Sequence, residues 1–285
     1  MHDINCHRTG KAIWMEKAKT VERALRILSA FSKAERELNA SELARRLKLS
    51  RTIVVRILST LEAAGFVERK PGDPRYQIGL TAFRIGSLYL TANPLLGFAT
   101  SCLDKLVNET GCTAYLGVID AGDAVIIAHR EGRHPVRFMW TAGDRLPVTT
   151  TAYGKAMLGR LPAEELDRVL GRNGLPGLTE RSLRMRAELD AQLHAVRKRG
   201  WAAAKDEAAL GVNAVGAAIV DAAGYPIAGI AISYVDYPPD PTLPASLGLL
   251  VVEEARAISA RAAEYGEHGH RLDSSKRSPR SGPHA

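Results

Sequence analysis

Ala40-Ser-Glu-Leu-Ala-Arg-Arg-Leu-Lys-Leu-Ser-Arg-Thr-Ile-Val-Val-Arg-Ile-Leu-Ser-Thr-Leu-Glu-Ala-Ala-Gly65 decides the fold of the N-terminal third. Leu43, Ala44 and Leu47 share one face of a short helix over 40–47, and Val54, Ile57, Leu58 and Leu61 repeat at helical spacing over 51–64. Only Lys48 and Leu49 separate that helix from Ser50, which is placed to cap the second, and Gly65 is placed to end it. Lys48 stands where glycine usually supplies a positive φ, at a cost of about 1 kcal/mol for a residue with a Cβ. Two helices joined so closely read as a helix-turn-helix, whose second helix enters a DNA major groove. Leu43, Leu47, Leu49, Val54 and Ile57 would form the shared core, with Ala44 small where the helices approach. The outer face of the second helix then presents Arg51, Thr52, Val55, Arg56 and Ser59. Arginines there reach phosphates or guanine edges, Thr52 a phosphate or base, and Val55 a thymine methyl. Ser41 and Ser50, at the two helix starts, complete this set of candidate contacts.

Outward from this pair, 19–31 reads as a preceding helix capped by Thr20, with Val21, Ala24, Leu25 and Leu28 as its inward stripe. After Gly65, extended runs over 66–69 and 75–78 flank a Pro/Gly/Asp loop and predict a hairpin, the wing. Arg69, Lys70 and Arg75 put charge on it, where backbone phosphates would lie. A linking helix is expected over 81–91. Residues 1–18 are expected to be a disordered leader, with Met15 as an alternative start.

Charge follows the same division. Of the net +8 over 285 residues, residues 1–94 carry +8, residues 95–265 carry −2 and the remaining tail +2. The basic module is joined to a near-neutral larger one, a layout suited to binding plus control. A composition of 46% apolar and 25% charged residues excludes wholesale disorder and a disulfide scaffold. Three cysteines without a CxxC pair fit reduced thiols in a cytoplasm, and no long apolar run predicts a membrane span.

The second part predicts a mixed sheet flanked by helices. Helices are expected over 95–110, 153–160, 162–170, 183–199 and 242–265, and strands over 113–118, 124–129, 136–140, 201–205, 214–220 and 226–234. The Ser/Pro/Gly/Arg-rich segment 266–285 reads as a disordered basic tail. Thr149, Thr150, Thr151 and Ala152 precede the 153–160 helix. The free N–H groups of a helix start favour a carboxylate, so Thr151–Gly154 is a candidate anion site; the threonines could equally be simple caps.

Enzyme signatures fall short. Gly154-Lys155 lacks the glycine a P-loop needs at position 149, and GxSxG and HExxH are absent. Asp206-Glu207 diverges on a strand and reads as a hydrogen-bonding or ion-paired element. Cys102 and Cys112 read as buried thiols. His129 and His134 have no metal-spaced partners, so no zinc site or cofactor is expected.

The motifs together resemble the IclR family of bacterial transcription regulators. They are Thr20-Val-Glu-Arg-Ala-Leu-Arg-Ile-Leu28, Glu42-Leu-Ala-Arg-Arg-Leu47, Arg51-Thr-Ile-Val-Val-Arg-Ile-Leu58 and Leu61-Glu-Ala-Ala-Gly-Phe-Val-Glu68, then Glu109-Thr-Gly111, Arg145-Leu-Pro147, Thr151-Ala-Tyr-Gly-Lys-Ala156, Asp206-Glu207 and Gly211-Val212. The resemblance implies an α+β chain: a winged helix-turn-helix over 19–80, a linker helix over 81–94 and a GAF-like α/β effector-binding domain over 95–265. It also implies homodimers or homotetramers on pseudo-palindromic double-stranded DNA, and no enzymatic activity. Effector contacts would map to Pro135, Phe138, Ala152 and Tyr153, and across the pocket to Ala204, Val212, Ala214, Ala231 and Ser233. Ala214 and Ala218 replace a frequent cysteine and proline of the family, and Ala204 and Ala231 fill places that are often polar. That pattern points to a larger, apolar or aromatic organic acid. Two rival readings are an enzyme with an appended basic helical domain and a non-selective architectural DNA binder.

Overall fold

A computed structural model describes residues 18–32, 35–91, 94–133, 140–171 and 175–264. All but the last residue of the expected 1–18 leader, the basic tail, Pro135, Phe138 and all but the last residue of the expected 136–140 strand lie outside these residues. The chain divides into two compact units, residues 1–92 and 93–285.

The first unit contains α1 (Lys19–Leu28), β1 (Leu38–Asn39), α2 (Ala40–Leu47), α3 (Arg51–Ala63), β2 (Val67–Arg69), β3 (Arg75–Ile78) and α4 (Leu80–Thr91). The helix-turn-helix forms as its spacing predicts. Lys48 takes the left-handed conformation, φ 54°, and its flanking N–H groups close onto Ala44 and Arg45. Gly65, also at positive φ, ends α3. Ile27, Leu43, Val54, Leu58 and Val67 are fully buried at the centre of this unit.

Three details differ from expectation. Asn39, not anticipated, caps α2 by accepting from the Ser41 and Glu42 N–H groups, while the Glu42 carboxylate accepts from the Asn39 N–H. Its own strand β1 adds a third strand to the wing, in the order β1-β3-β2. Thr20 does not cap α1, whose N-cap position is Ala18, without a side-chain cap, and which ends at Leu28 rather than Phe31. The buried anchor of α1 is Ile27, with Ala24 and Leu28 beside it; Val21 and Leu25 are 58% and 59% exposed. The predicted stripe therefore straddles two faces. One meets the core and the other is bare. Helix α4 is similar: Leu80, Phe83, Ile85, Leu88 and Tyr89 are all exposed.

The second unit begins with α5 (Pro94–Thr110) and continues through β4 (Thr113–Asp120), β5 (Asp123–Arg130), β6 (Arg145–Pro147), α6 (Ala152–Leu158), α7 (Ala163–Leu170), α8 (Arg186–Arg199), β7 (Trp201–Lys205), β8 (Asn213–Val220), β9 (Pro226–Tyr234) and α9 (Leu243–Glu264). The six strands form one antiparallel sheet in the order β6-β5-β4-β9-β8-β7. Strand alternation sorts the side chains into two cores. Leu116, Val215, Ala217, Ile230 and Ile232 face α5 and α9, together with the buried thiols of Cys102 and Cys112. Tyr115, Ile126, Leu146 and Ala231 face Tyr153, Met157 and Leu158 of α6, with Leu189 and Leu193 of α8 in the same cluster.

Helix α8 starts at Arg186 rather than Leu183, because the Glu188 carboxylate accepts from the Arg184 and Met185 N–H groups. The edge next to β5 is Arg145–Pro147, and Trp140 is not in a strand. The architecture is α+β, as expected, and no helix among the described residues is long and apolar enough to cross a membrane.

Candidate functional site

The outer face of α3 is built by elimination. Once Val54, Ile57, Leu58 and Leu61 turn inward, Arg51, Thr52, Val55, Arg56 and Ser59 are left exposed, as are Ser41 and Ser50. Ser50 fixes the start of the helix by accepting from the Ile53 N–H at 3.4 Å. Arg51 and Arg56 have no carboxylate partner among the described residues.

The wing cations are held differently. Arg69 donates to the Glu62 carboxylate at 2.9 and 3.0 Å and lies over the Tyr76 ring. Lys70 meets Glu37 at 3.1 Å, and Arg75 meets Glu37 at 2.8 Å and Asp73 at 2.6 Å. Hydrogen bonds from Arg75 hold the Asp73 carboxyl down at about 2. The three acids that engage these cations were not singled out in the sequence. The signal was present in their positions: Glu37 immediately precedes the strand that pairs with Arg75 and Tyr76.

The second candidate site is a small cavity in the C-terminal unit. Its wall includes Thr151, Ala152, Tyr153, Ala204, Val212, Ala214, Ala231 and Ser233. Seven of these are contacts the resemblance marked and Thr151 belongs to the candidate anion site; they are brought together from α6 and its cap, three strands and the 206–212 turn. Register explains the convergence. Ala204 pairs with Ala214 and Ala214 with Ser233, so one row of small residues floors the cavity across β7, β8 and β9.

Tyr115, Ile126, Trp140, Leu146, Thr150 and Ala208 also line the cavity and were missed. Tyr115 sits opposite Ala231 in the β4–β9 register, so strand alternation combined with pairing identifies it. No lysine, arginine, histidine or carboxylate is among the described lining residues.

Gly154 does not line the cavity. Its N–H is taken by Thr151 Oγ1 at 3.2 Å, and a Cβ there would stand 2.3 Å from the Val148 carbonyl oxygen. The start of α6 is also covered by the sheet: a Cβ on Gly216 would lie 2.6 Å from the Tyr153 nitrogen. The threonine cap thus forms, and it occupies much of the donor capacity expected for an anion. Gly117 and Gly229 open space for the rest of Tyr153, whose ring and Cβ fill what their side chains would occupy. Tyr153 consequently rests in a three-glycine hollow spanning β4, β8 and β9.

Behind the cavity wall, Lys155 is fully buried. Its Nζ donates to Glu207 Oε1 at 2.6 Å and Gln192 Oε1 at 2.7 Å. Burial pushes the lysine below its usual range, and the Glu207 carboxylate opposes that shift. The Thr179 hydroxyl donates to the Asp206 carbonyl and the Ser182 hydroxyl to that of Glu207. Glu207 is thus ion-paired and Asp206 accepts from the Gly211 N–H at 2.6 Å, but the two lie in the turn after β7 rather than on a strand, because Asp206 takes φ 59°; together they fasten the turn that carries Ala208 and Val212.

Comparison with known proteins agrees with this division. Residues 20–71 match the model of the IclR helix-turn-helix domain, and residues 87–260 match that of the bacterial transcriptional regulator IclR C-terminal domain. The chain is 32% identical over 242 residues to the HTH-type transcriptional repressor AllR of Klebsiella pneumoniae, covering 85% of this chain and 89% of the relative. An IclR transcriptional regulator from Alicyclobacillus acidocaldarius superposes with a TM-score of 0.78 at 24% identity, covering 87% of this chain and 100% of the other. An IclR homolog from Microbacterium hydrocarbonoxydans, complexed with 4-hydroxybenzoate, superposes with a TM-score of 0.72 at 18% identity, covering 85% and 98%. These two likenesses bear on the fold.

Proposed function

Because the chain belongs to the IclR family of bacterial transcription regulators, we propose that it binds a pseudo-palindromic operator as a dimer and releases or engages it in response to a small organic acid. One observation carries the DNA half of this reading. Arg51 and Arg56 stand exposed on α3 beside Thr52 and Val55, without a carboxylate among the described residues to satisfy them. In the major groove these side chains read bases, while Arg69, Lys70 and Arg75 exchange their carboxylate partners for backbone phosphates. The exposed apolar residues of α1 and α4, Val21, Leu25, Phe83 and Leu88 among them, support contact between two copies of the N-terminal unit. Two such units would place recognition helices about 34 Å apart, one turn of DNA, or a multiple of it.

The cavity supports the control half. Its floor of alanines and its walls of Ile126, Leu146, Trp140 and Tyr153 suit an apolar or aromatic body. A ligand there and an operator at α3 shift each other's affinity reciprocally, with α4 as the connecting element.

The test is a gel shift and salt titration on a palindromic site and on scrambled DNA. Arg51→Ala should cost about 1–3 kcal/mol on the palindrome and little on scrambled DNA. Arg75→Ala should weaken both and lower the salt slope by about 1. Equal losses on both DNAs for Arg51→Ala would instead identify a non-selective binder.

A further inference from the structure

We propose that Tyr115 and Tyr153 form a two-phenol clamp that grips the carboxylate of a monocarboxylic acid, whose apolar body lies over the alanine floor. The inference rests on the reading of the cavity as the effector site. Both hydroxyls are buried, both belong to side chains that line the cavity, and neither has a hydrogen-bond partner among the described residues. A buried O–H left unpaired is costly, and natural proteins keep few of them. Two on one cavity wall are better explained by a ligand that satisfies both than by two separate defects.

The wall threonines cannot play this role as well. The Thr150 hydroxyl donates to the Pro147 carbonyl. The Thr151 hydroxyl donates to the Val148 carbonyl and accepts from the Gly154 N–H. With the threonines engaged, Tyr115 and Tyr153 hold the buried unpaired hydroxyls of the described wall, with Ser233 and Trp140 lining it beside them, and a carboxylate, which only accepts, matches these donors. O–H···O⁻ bonds of this kind are short and charge-assisted. Burial pushes both phenols above their ordinary range, so at neutral pH they remain protonated donors and not phenolates that would repel an anion.

The same arrangement sets selectivity. One carboxylate can be held by the clamp, but a second at the far end of the ligand would face alanines and aliphatic side chains such as Ala204, Ala214, Ile126 and Leu146, with no cation among the described lining residues to meet it. Aromatic monocarboxylates should bind, and dicarboxylates and carboxylate-free analogues should be rejected.

Calorimetric titration of the full chain with benzoate, 4-hydroxybenzoate, terephthalate and benzyl alcohol tests this. The wild type should bind at least one of the two monocarboxylates and discriminate by about tenfold or more against benzyl alcohol and terephthalate. Tyr115→Phe and Tyr153→Phe, which keep the rings, should each weaken monocarboxylate binding by about tenfold or more and collapse the preference over benzyl alcohol. Without ligand both variants should melt no lower than wild type, since each loses only an unpaired hydroxyl. The wild type should also give a tyrosine ultraviolet difference spectrum on adding ligand, reduced in each variant. Wild-type binding that both Phe variants reproduce would overturn the clamp and leave the effector reading standing. Failure of the wild type to bind any of the four would overturn the effector reading, and the clamp with it.

Discussion

The two units of this chain put their polar chemistry in opposite places. The N-terminal unit keeps its cations outside: Arg51 and Arg56 are bare, and Arg69, Lys70 and Arg75 are paired across the surface. The C-terminal unit draws charges inside, as with Lys155 and Glu207, and none is among the described residues that line its cavity. The contrast matches two kinds of partner. A polyanion can be met by exposed charge that it neutralises on contact. A small ligand needs a dry, shaped wall whose donors are already in place, and buried charge around it serves to hold that wall.

The largest effect should come from breaking the internal charge pair. Lys155→Met leaves the Glu207 carboxylate buried without its cation and should destabilise the C-terminal unit by about 3–5 kcal/mol, read from denaturant unfolding of the full chain. Adding Glu207→Met to that variant should recover part of the loss, because two apolar side chains replace both charges. If Lys155→Met unfolds at the wild-type denaturant concentration, the pair is not the internal fastening described.

A smaller effect probes the seat of α6. Gly216→Ala places a methyl against the Tyr153 backbone nitrogen, where nothing flexible can yield, and should cost about 1–3 kcal/mol. The same change at Gly211, whose Cβ would meet nothing within 4 Å but whose φ is 78°, is the control for backbone strain alone. The smallest effect has the opposite sign and lies in the other unit. Lys48→Gly relieves the left-handed turn at φ 54° and should stabilise the helix-turn-helix by up to about 1 kcal/mol. Thermal unfolding followed in the N-terminal unit would show it, and a loss of stability would mean that the lysine side chain contributes more than its backbone costs.

The same contrast explains what the sequence made legible. Helix α2, helix α3 and the exposed face of α3 follow from local spacing, since periodicity within one helix settles which side chains turn inward. The wing strands and the Ser50 cap are local as well. Val21 and Leu25 were misassigned because an apolar stripe says that a face is buried in something, not that it is buried within its own domain. The cavity was legible only through the family resemblance. Tyr115 and Ala231 are far apart in sequence and meet only through the pairing of β4 with β9, a register that no single strand encodes. Glycines 117, 216 and 229 each interrupt a strand, yet their common purpose appears only when one residue, Tyr153, is seen to fill the space above all three, with its ring over Gly117, its Cβ over Gly229 and its backbone over Gly216.

That hollow limits how the pocket can be altered. Tyr153 faces the cavity and also fills the hollow in the sheet beneath α6, so trimming it to alanine to admit a bulkier ligand would empty the seat as well as enlarge the room. An aromatic truncation in a core costs about 3–5 kcal/mol. Changes of ligand preference are better sought on the opposite wall, where Ala204, Ala214 and Ala231 can gain atoms without removing any support. The residue proposed to grip the ligand is thus the one a designer should leave in place.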